Sequence, residues 1–327
     1  MTYDVFGMCN PLFDIQAEIS DELLAELPYV KGSMSLIDEA HQGSLISRIY
    51  EHVVNTEPGG SGANTMIGLS QLGGSACYAG RVGDDEHGKL YLEGLQRRRV
   101  ALGVAPGTGT TGISVILITP DAQRTLCTFL GVSRELSPGD ISLDALRRSR
   151  FLYVTGYLWD TESQKETVLL AMREARAAGL KVALSLSDPF CVDRHKQDFL
   201  RIVHEYVDLL FGNADEAQAL METSTPYDAI RALEPFCELA AVTMDARGSL
   251  LRQGAQVFEI PGYPVQAVDT TGAGDMYAAG LLYGLTHGLS LERTGRLASY
   301  VAAKVVAQLG PRLDEVDLSG FEAFCSP

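Results

Sequence analysis

Phe151-Leu152-Tyr153-Val154-Thr155 is a strand-like run, a helix-like run follows over 162–178, and a second strand-like run covers 181–186. Inside the middle stretch, Val168-Leu169-Leu170-Ala171-Met172 and then Ala175 fall at helical spacing, and Gly179 is placed to end the helix. The same rhythm extends both ways. Strand-like runs lie at 3–9, 75–82, 207–211 and 238–243. Helix-like runs lie at 62–72, 86–99, 213–222 and 227–235, with a last long pair at about 273–287 and 291–308. Alternation of this kind predicts an α/β fold with a mainly parallel central sheet flanked by helices.

Two segments break the rhythm. Residues 12–19 and about 29–56 carry short strand-like pieces. Residues 101–131 read as consecutive strands, 110–118 and 124–130, with Pro120-Asp121-Ala122 suited to a hairpin turn. Strands without intervening helices do not readily extend a parallel sheet. They are read as a small β-sheet lid, made of 12–56 and 101–131. The large α/β domain then takes 1–11, 57–100 and 132–327.

The chain has 327 residues, 46% of them hydrophobic, and a formal net charge of -16, so a substantial core is expected and a nucleic-acid partner is not. Arg97, Arg98 and Arg99 are the densest basic cluster and read as a solvated helix end. The six cysteines, Cys9, Cys77, Cys127, Cys191, Cys237 and Cys325, form no CxxC pair. Scattered thiols fit a reducing compartment. With no basic leader region and no apolar stretch of about 18 residues, no membrane partner is expected and a cytoplasmic location is.

The chemistry concentrates in Asp269-Thr270-Thr271-Gly272-Ala273-Gly274-Asp275, followed by the apolar run from Met276. Two glycines within three residues let the backbone approach a ligand closely. A glycine-rich turn that opens a helix leaves free N–H groups aimed outward, aided by the helix dipole. Gly272, Ala273 and Gly274 thus form a candidate anion hole for a transferring phosphoryl group. Asp275 stands at its mouth as the candidate base for an attacking hydroxyl. Gly83-Asp84-Asp85-Glu86-His87-Gly88-Lys89-Leu90 nearly matches a P-loop but lacks the final Ser or Thr and is acidic inside. It is assigned to a helix entry, with His87 on the surface.

The heptapeptide resembles a signature of the PfkB-type (ribokinase-like) carbohydrate kinases. Gly59-Gly60-Ser61-Gly62-Ala63-Asn64, Leu72-Gly73-Gly74 and 80–88 resemble the family's N-terminal signature, and Asn213-Ala214-Asp215-Glu216 resembles its Asn-x-x-Glu motif. The likeness runs from about residue 3 to 312. Within the family, Phe6–Asp14, Leu186–Phe190 and the hairpin 121–125 look like adenosine kinase.

The resemblance implies an ATP-dependent kinase acting on the primary (5') hydroxyl of a nucleoside, adenosine first, with inosine, guanosine, ribose or fructose as alternatives. A non-catalytic binding or regulatory homologue is the remote alternative. It implies acceptor contacts from Asn10, Asp14, Gly59, Gly60 and Asn64, with Asp14 receiving two ribose hydroxyls. Tyr157 and Phe190, near Leu158, Trp159 and Phe129, are candidates to clamp a base. Arg124 on the lid hairpin is expected to reach the phosphates. Asn213 and Glu216 are expected to help organise Mg²⁺, through water where not directly. Thr243 and Gly248 should lie near the nucleotide; Asp245 stands where the family usually has glycine. Asp269, Thr271 and Gly310 resemble a monovalent-cation loop, which leaves K⁺ open. Either a monomer or a homodimer is compatible with the likeness.

Overall fold

The computed structural model describes residues 2–103, 106–121, 123–313 and 315–325. Ala122 of the expected hairpin turn lies outside the described residues. The strands are β1 Tyr3–Met8, β2 Leu12–Glu18, β3 Met34–Leu36, β4 Val53–Gly59, β5 Ala76–Ala79, β6 Ala101–Leu102, β7 Ile113–Ile118 and β8 Arg124–Phe129. They continue with β9 Ser149–Thr155, β10 Lys181–Ser185, β11 Leu209–Asn213, β12 Leu239–Thr243, β13 Ser249–Gln253 and β14 Gln256–Ile260. The helices are α1 Asp21–Ala25, α2 Glu39–Ile49, α3 Ser61–Gln71, α4 Glu86–Arg97, α5 Leu143–Arg147 and α6 Glu162–Ala177. After them come α7 Pro189–Tyr206, α8 Ala214–Met221, α9 Pro226–Ala232, α10 Ala273–Thr286, α11 Leu291–Val306 and α12 Phe321–Cys325.

The large sheet has the order β14-β13-β12-β11-β10-β9-β1-β5-β6. From β6 to β12 every pairing is parallel, and the β12–β13 and β13–β14 pairings are antiparallel. Its strands feed two cores by simple alternation. Val5, Tyr153 and Ala183 face the side covered by α3, α10 and α11, whereas Phe6, Leu152, Val154, Val182 and Leu184 face α5 to α9. Burial on both faces explains why these strands read as continuous apolar runs rather than alternating ones.

The second sheet has the order β3-β8-β7-β2-β4 and mixes parallel and antiparallel neighbours. The expected ranges shift at two joints. β4 stays in the small sheet as far as Gly59, past the expected boundary at 57, and β6 at 101–102 pairs with β5 in the large sheet. Residues 39–49, within a stretch expected to hold only strand pieces, form α2, whose first turn is capped by Asp38. Of the further elements that carried no expectation, two are the longest. One is α7, capped by Asp188, whose carboxylate accepts from Cys191 N at 2.7 Å. The other is the β13–β14 hairpin at the sheet edge. His87 is not a surface group: half-buried, it packs its ring 5.1 Å from Phe13. Among the described residues no helix is long and apolar enough to cross a membrane.

Arg252 on β13 is only 1% exposed and spends its guanidinium on main-chain carbonyls. It donates to Gly254 and Cys237 at 2.8 Å each and to Leu233 at 3.3 Å. These bonds tie the sheet edge to the end of α9. Arg252→Ala leaves buried carbonyls unpaired and should cost about 3 kcal/mol or more, read as a lower urea midpoint. Arg252→Lys should recover only part of the loss, because an ammonium cannot span all three carbonyls.

Candidate active site

The N-terminal end of α10 is built to stay uncapped. Gly272, at its N-cap, has φ +77° and offers no side chain to the first-turn amides. A Cβ there would stand 2.2 Å from the Pro311 carbonyl oxygen, so only glycine fits both the conformation and the space. Gly274, one position into the helix after Ala273, is exposed with nothing near its missing Cβ. Ala273 N donates to the Thr270 carbonyl at 3.2 Å, and no side chain caps the amides that follow it, so they and the helix dipole face open space.

Asp275 follows directly and is half-buried. Ser61 Oγ donates to its Oδ1 at 2.5 Å, and Asn64 Nδ2 donates to its Oδ2 at 2.9 Å. Both partners belong to α3. Burial raises the Asp275 pKa, while these two hydrogen bonds and the Arg312 guanidinium act against the rise. Asn64 Oδ1 is buried with no hydrogen-bond partner, which leaves an acceptor free beside the carboxylate.

Asp14 on β2 is 6% exposed, and burial pushes its pKa up to about 7; Arg312 opposes this and Glu57 adds to it. A Cβ on Gly59 would overlap the Asp14 carboxyl at 2.1 Å. Gly60, with φ +85°, starts α3, and a Cβ there would press on the Asn10 carbonyl. The large domain and the small sheet are joined here by two ion pairs of opposite sense, one buried and one partly buried. Arg124 of β8 meets Asp269 at 2.5 Å, with side chains 8% and 7% exposed. Arg312 meets Glu57 of β4. Arg124 keeps Nε and Nη1 without partners.

Other expected residues are placed differently. Asn10 is turned into the protein: its Nδ2 donates to the Tyr157 carbonyl at 3.2 Å, and its Oδ1 accepts from Gln164 at 2.7 Å. Tyr157 is largely buried, and its hydroxyl reaches the Ser187 carbonyl at 3.3 Å. Trp159 and Leu158 belong to the core, Trp159 donating to Asp198 at 2.9 Å. Phe190 is 75% exposed at the start of α7. The expected aromatic clamp is thus not assembled from these four residues.

Asn213 and Glu216 form a closed capping box at the start of α8. Glu216 Oε2 accepts from Asn213 N at 3.1 Å, its Oε1 accepts from Asn213 Nδ2 at 2.7 Å, and Asn213 Oδ1 accepts from Glu216 N at 2.9 Å. Glu216 is buried, which raises its pKa to about 7, with Asp188 and Asp215 adding to the rise. Among the described residues no cluster of three or more His, Cys, Asp or Glu could cage a metal.

Asp269 Oδ1 accepts from Thr271 N at 3.0 Å, and its Oδ2 accepts from Gly310 N at 2.8 Å besides pairing with Arg124. The three residues of the expected cation loop do come together. Within it the Asp269 carboxylate has two amides and a guanidinium as partners. Thr243 ends β12, and Gly248, at φ +94°, closes the turn to β13. Asp245 has φ +52°, the left-handed region that glycine adopts most easily and Asp tolerates.

Ser61 and Arg312 belong to the site although the sequence reading gave them no role. Ser61 lies inside the quoted glycine-rich stretch, and its position as the first residue of α3 was the available signal. Arg312 had none, because it meets Glu57 only across the fold.

The sequence matches the family model described as pfkB family carbohydrate kinase over residues 35–317. The fold superposes on adenosine kinase from Sinorhizobium meliloti with a TM-score of 0.89 and 37% identity, covering 100% of both chains. A probable sugar kinase from Rhizobium etli CFN 42 gives 0.90 and 35% identity over 99% of both chains. A fructokinase of Klebsiella pneumoniae is 27% identical over 71% of this chain and 78% of its own length. The uncapped α10 turn with its anchored carboxylate, the paired sheets and these matches converge: the chain belongs to the pfkB carbohydrate kinase family, ATP-dependent phosphotransferases that act on small sugars or nucleosides.

Proposed function

We propose that this chain transfers the γ-phosphoryl group of ATP to the primary 5'-hydroxyl of a nucleoside, adenosine first. The observation that carries the reading is Asp275, held by Ser61 and Asn64 in the first turn of an uncapped helix. Asp14 receives acceptor hydroxyls, and Asn64 Oδ1 is free to accept another. Asp275 takes the proton of the attacking hydroxyl, and its raised pKa suits a group that must gain a proton. The α10 amides and Arg124 hold the negative charge that spreads over the transferring group. Mg²⁺ bound with the nucleotide would neutralise phosphate oxygens, with Asn213 and Glu216 reaching it through water.

A second reading is a free sugar such as ribose or fructose as acceptor. The exposure of Phe190 and the burial of Trp159 favour it, because the base clamp is not assembled. Coupled ADP detection with adenosine, inosine, guanosine, ribose and fructose separates the two. Adenosine should give the highest kcat/KM. A sugar preference replaces the first reading by the second, and ADP release at the acceptor-free background with every compound overturns both.

Asp275→Asn should lower kcat by about 100-fold or more with little change in acceptor KM. Wild-type turnover in that variant would remove Asp275 from the mechanism. Gly274→Ala meets no steric obstacle and should strengthen the helix by about 0.5–1 kcal/mol, so Tm should rise slightly. The added methyl group projects into the space before the amides, and the KM for ATP should rise by about tenfold. A variant with both quantities unchanged would place the phosphate elsewhere.

A further inference from the structure

We propose that Arg312 is a positioning residue for the acceptor site: held against β4 by Glu57 and the Pro58 carbonyl, its guanidinium supplies the positive charge that offsets the carboxylate facing Asp14 across the β2–β4 pair. This rests on the reading of Asp14 as the hydroxyl acceptor given above. The Asp14–Glu57 register places the two residues directly opposite each other in the β2–β4 pairing. Like charges facing across a strand pair repel, and neither group is well exposed to water. A cation beside them is required if both are to stay charged.

Arg312 is held where that cation is needed. Its side chain is 5% exposed, pairs with Glu57 and donates to the Pro58 carbonyl. Pro58 precedes Gly59, whose Cα touches the Asp14 carboxyl. The Arg312 main chain is pinned as well: its carbonyl accepts from Gln308 Nε2 at 2.6 Å. The preceding Pro311 lies against Gly272. One short segment thus touches the turn beside Asp275 with residue 311 and the acceptor strand with residue 312.

The charged and titratable groups that act on Asp14 come from every side. They are Glu57 on β4, Arg124 on β8, Asp275 on α10, Tyr91 on α4 and Arg312 itself. Of the two arginines, Arg124 is matched to Asp269, whereas Arg312 is matched to the carboxylate facing Asp14. Removing the Arg312 charge should raise the Asp14 pKa, and removing the Glu57 charge should lower it. Loss of packing would not produce opposite signs.

The test is a pH titration of the full chain labelled with ¹³C at aspartate side chains, the Asp14 resonance being assigned by its absence in Asp14→Asn. Arg312→Gln should move the Asp14 midpoint up by about one pH unit or more. Glu57→Gln should move it down, and Arg312→Lys should stay near wild type. Acceptor kcat/KM should follow, with Arg312→Gln raising KM at neutral pH while kcat at saturating acceptor is little changed. A midpoint in Arg312→Gln equal to wild type overturns the proposal, as does a Glu57→Gln shift in the same direction as Arg312→Gln. If Arg312→Gln does not fold, Glu57→Gln decides: a lowered midpoint supports the role and an unmoved one overturns it. The titration needs no turnover. Absence of ADP formation with every acceptor would therefore remove the functional reading while leaving the Arg312 result to stand or fall on its own.

Discussion

The site depends on how closely α3 and α10 approach. A Cβ on Gly68 of α3 would lie 2.7 Å from Met276 Sδ and 2.9 Å from Ala279 Cβ, both on α10. Any larger residue at 68 would wedge the helices apart in an interior packed at crystal-like density. The approach brings the first turn of α3 to the first turn of α10, and only then can Ser61 and Asn64 reach both oxygens of Asp275. Each helix start has a distinct task. The α3 end supplies side-chain donors that orient a carboxylate, whereas at the α10 end Ala273 N donates to the Thr270 carbonyl and no side chain caps the amides that follow.

The join between the two sheets follows a different physics. Arg124–Asp269 is a buried ion pair and Glu57–Arg312 a partly buried one, and each runs from one sheet to the other's supporting segment with the charges reversed. Buried pairs repay little of their desolvation cost, so their worth lies more in fixing register than in stability. Here the register matters, because Asp14 rides on the small sheet and Asp275 on the large layer. The pairs also explain how a chain with a net charge of -16 handles phosphate. The cations near the site are few, buried and each matched to one acid, so the positive potential stays local.

Much of the fold was legible because parallel strands covered on both faces appear as apolar runs between amphipathic helices, as at 151–186. The α10 turn was legible because its glycines have a backbone reason to be there. What was not legible falls into two kinds. α7 begins Pro189-Phe190-Cys191-Val192, but the polar run Asp193 to Asp198 follows before the next apolar residue, Phe199, so its periodicity was masked. α2 interrupts short strand pieces, and its strongest signal, the Asp38 cap, is a single residue. The other kind is pairing at long range. Nothing near Arg312 in sequence announces Glu57, and Asn10 looked like a ligand contact until Gln164, 154 residues away, was seen to take its oxygen. The aromatics near 157–159 and 190 were legible as aromatics but not as core or surface, which packing after β9 and at the start of α7 decides.

The raised carboxylates connect the site's stability to its function. Asp14 and Glu216 are both held near neutral pKa by burial, far above the ordinary carboxylate range. Raised folded-state pKa values mean that their protonated forms favour the fold at acid pH and that this contribution disappears as pH rises through about 7. At neutral pH and above, the empty site therefore carries part of the desolvation cost of two charges. Hydroxyl donors at Asp14, and a hydrated cation at Glu216, would replace the missing solvation and return those pKa values toward ordinary ones. Ligands that restore solvation in this way bind the folded state preferentially and stabilise it by mass action. Asp275 and Glu216 also have internal partners, Ser61 and Asn64 for the one and the Asn213 capping box for the other, so these carboxylates are oriented as well as desolvated.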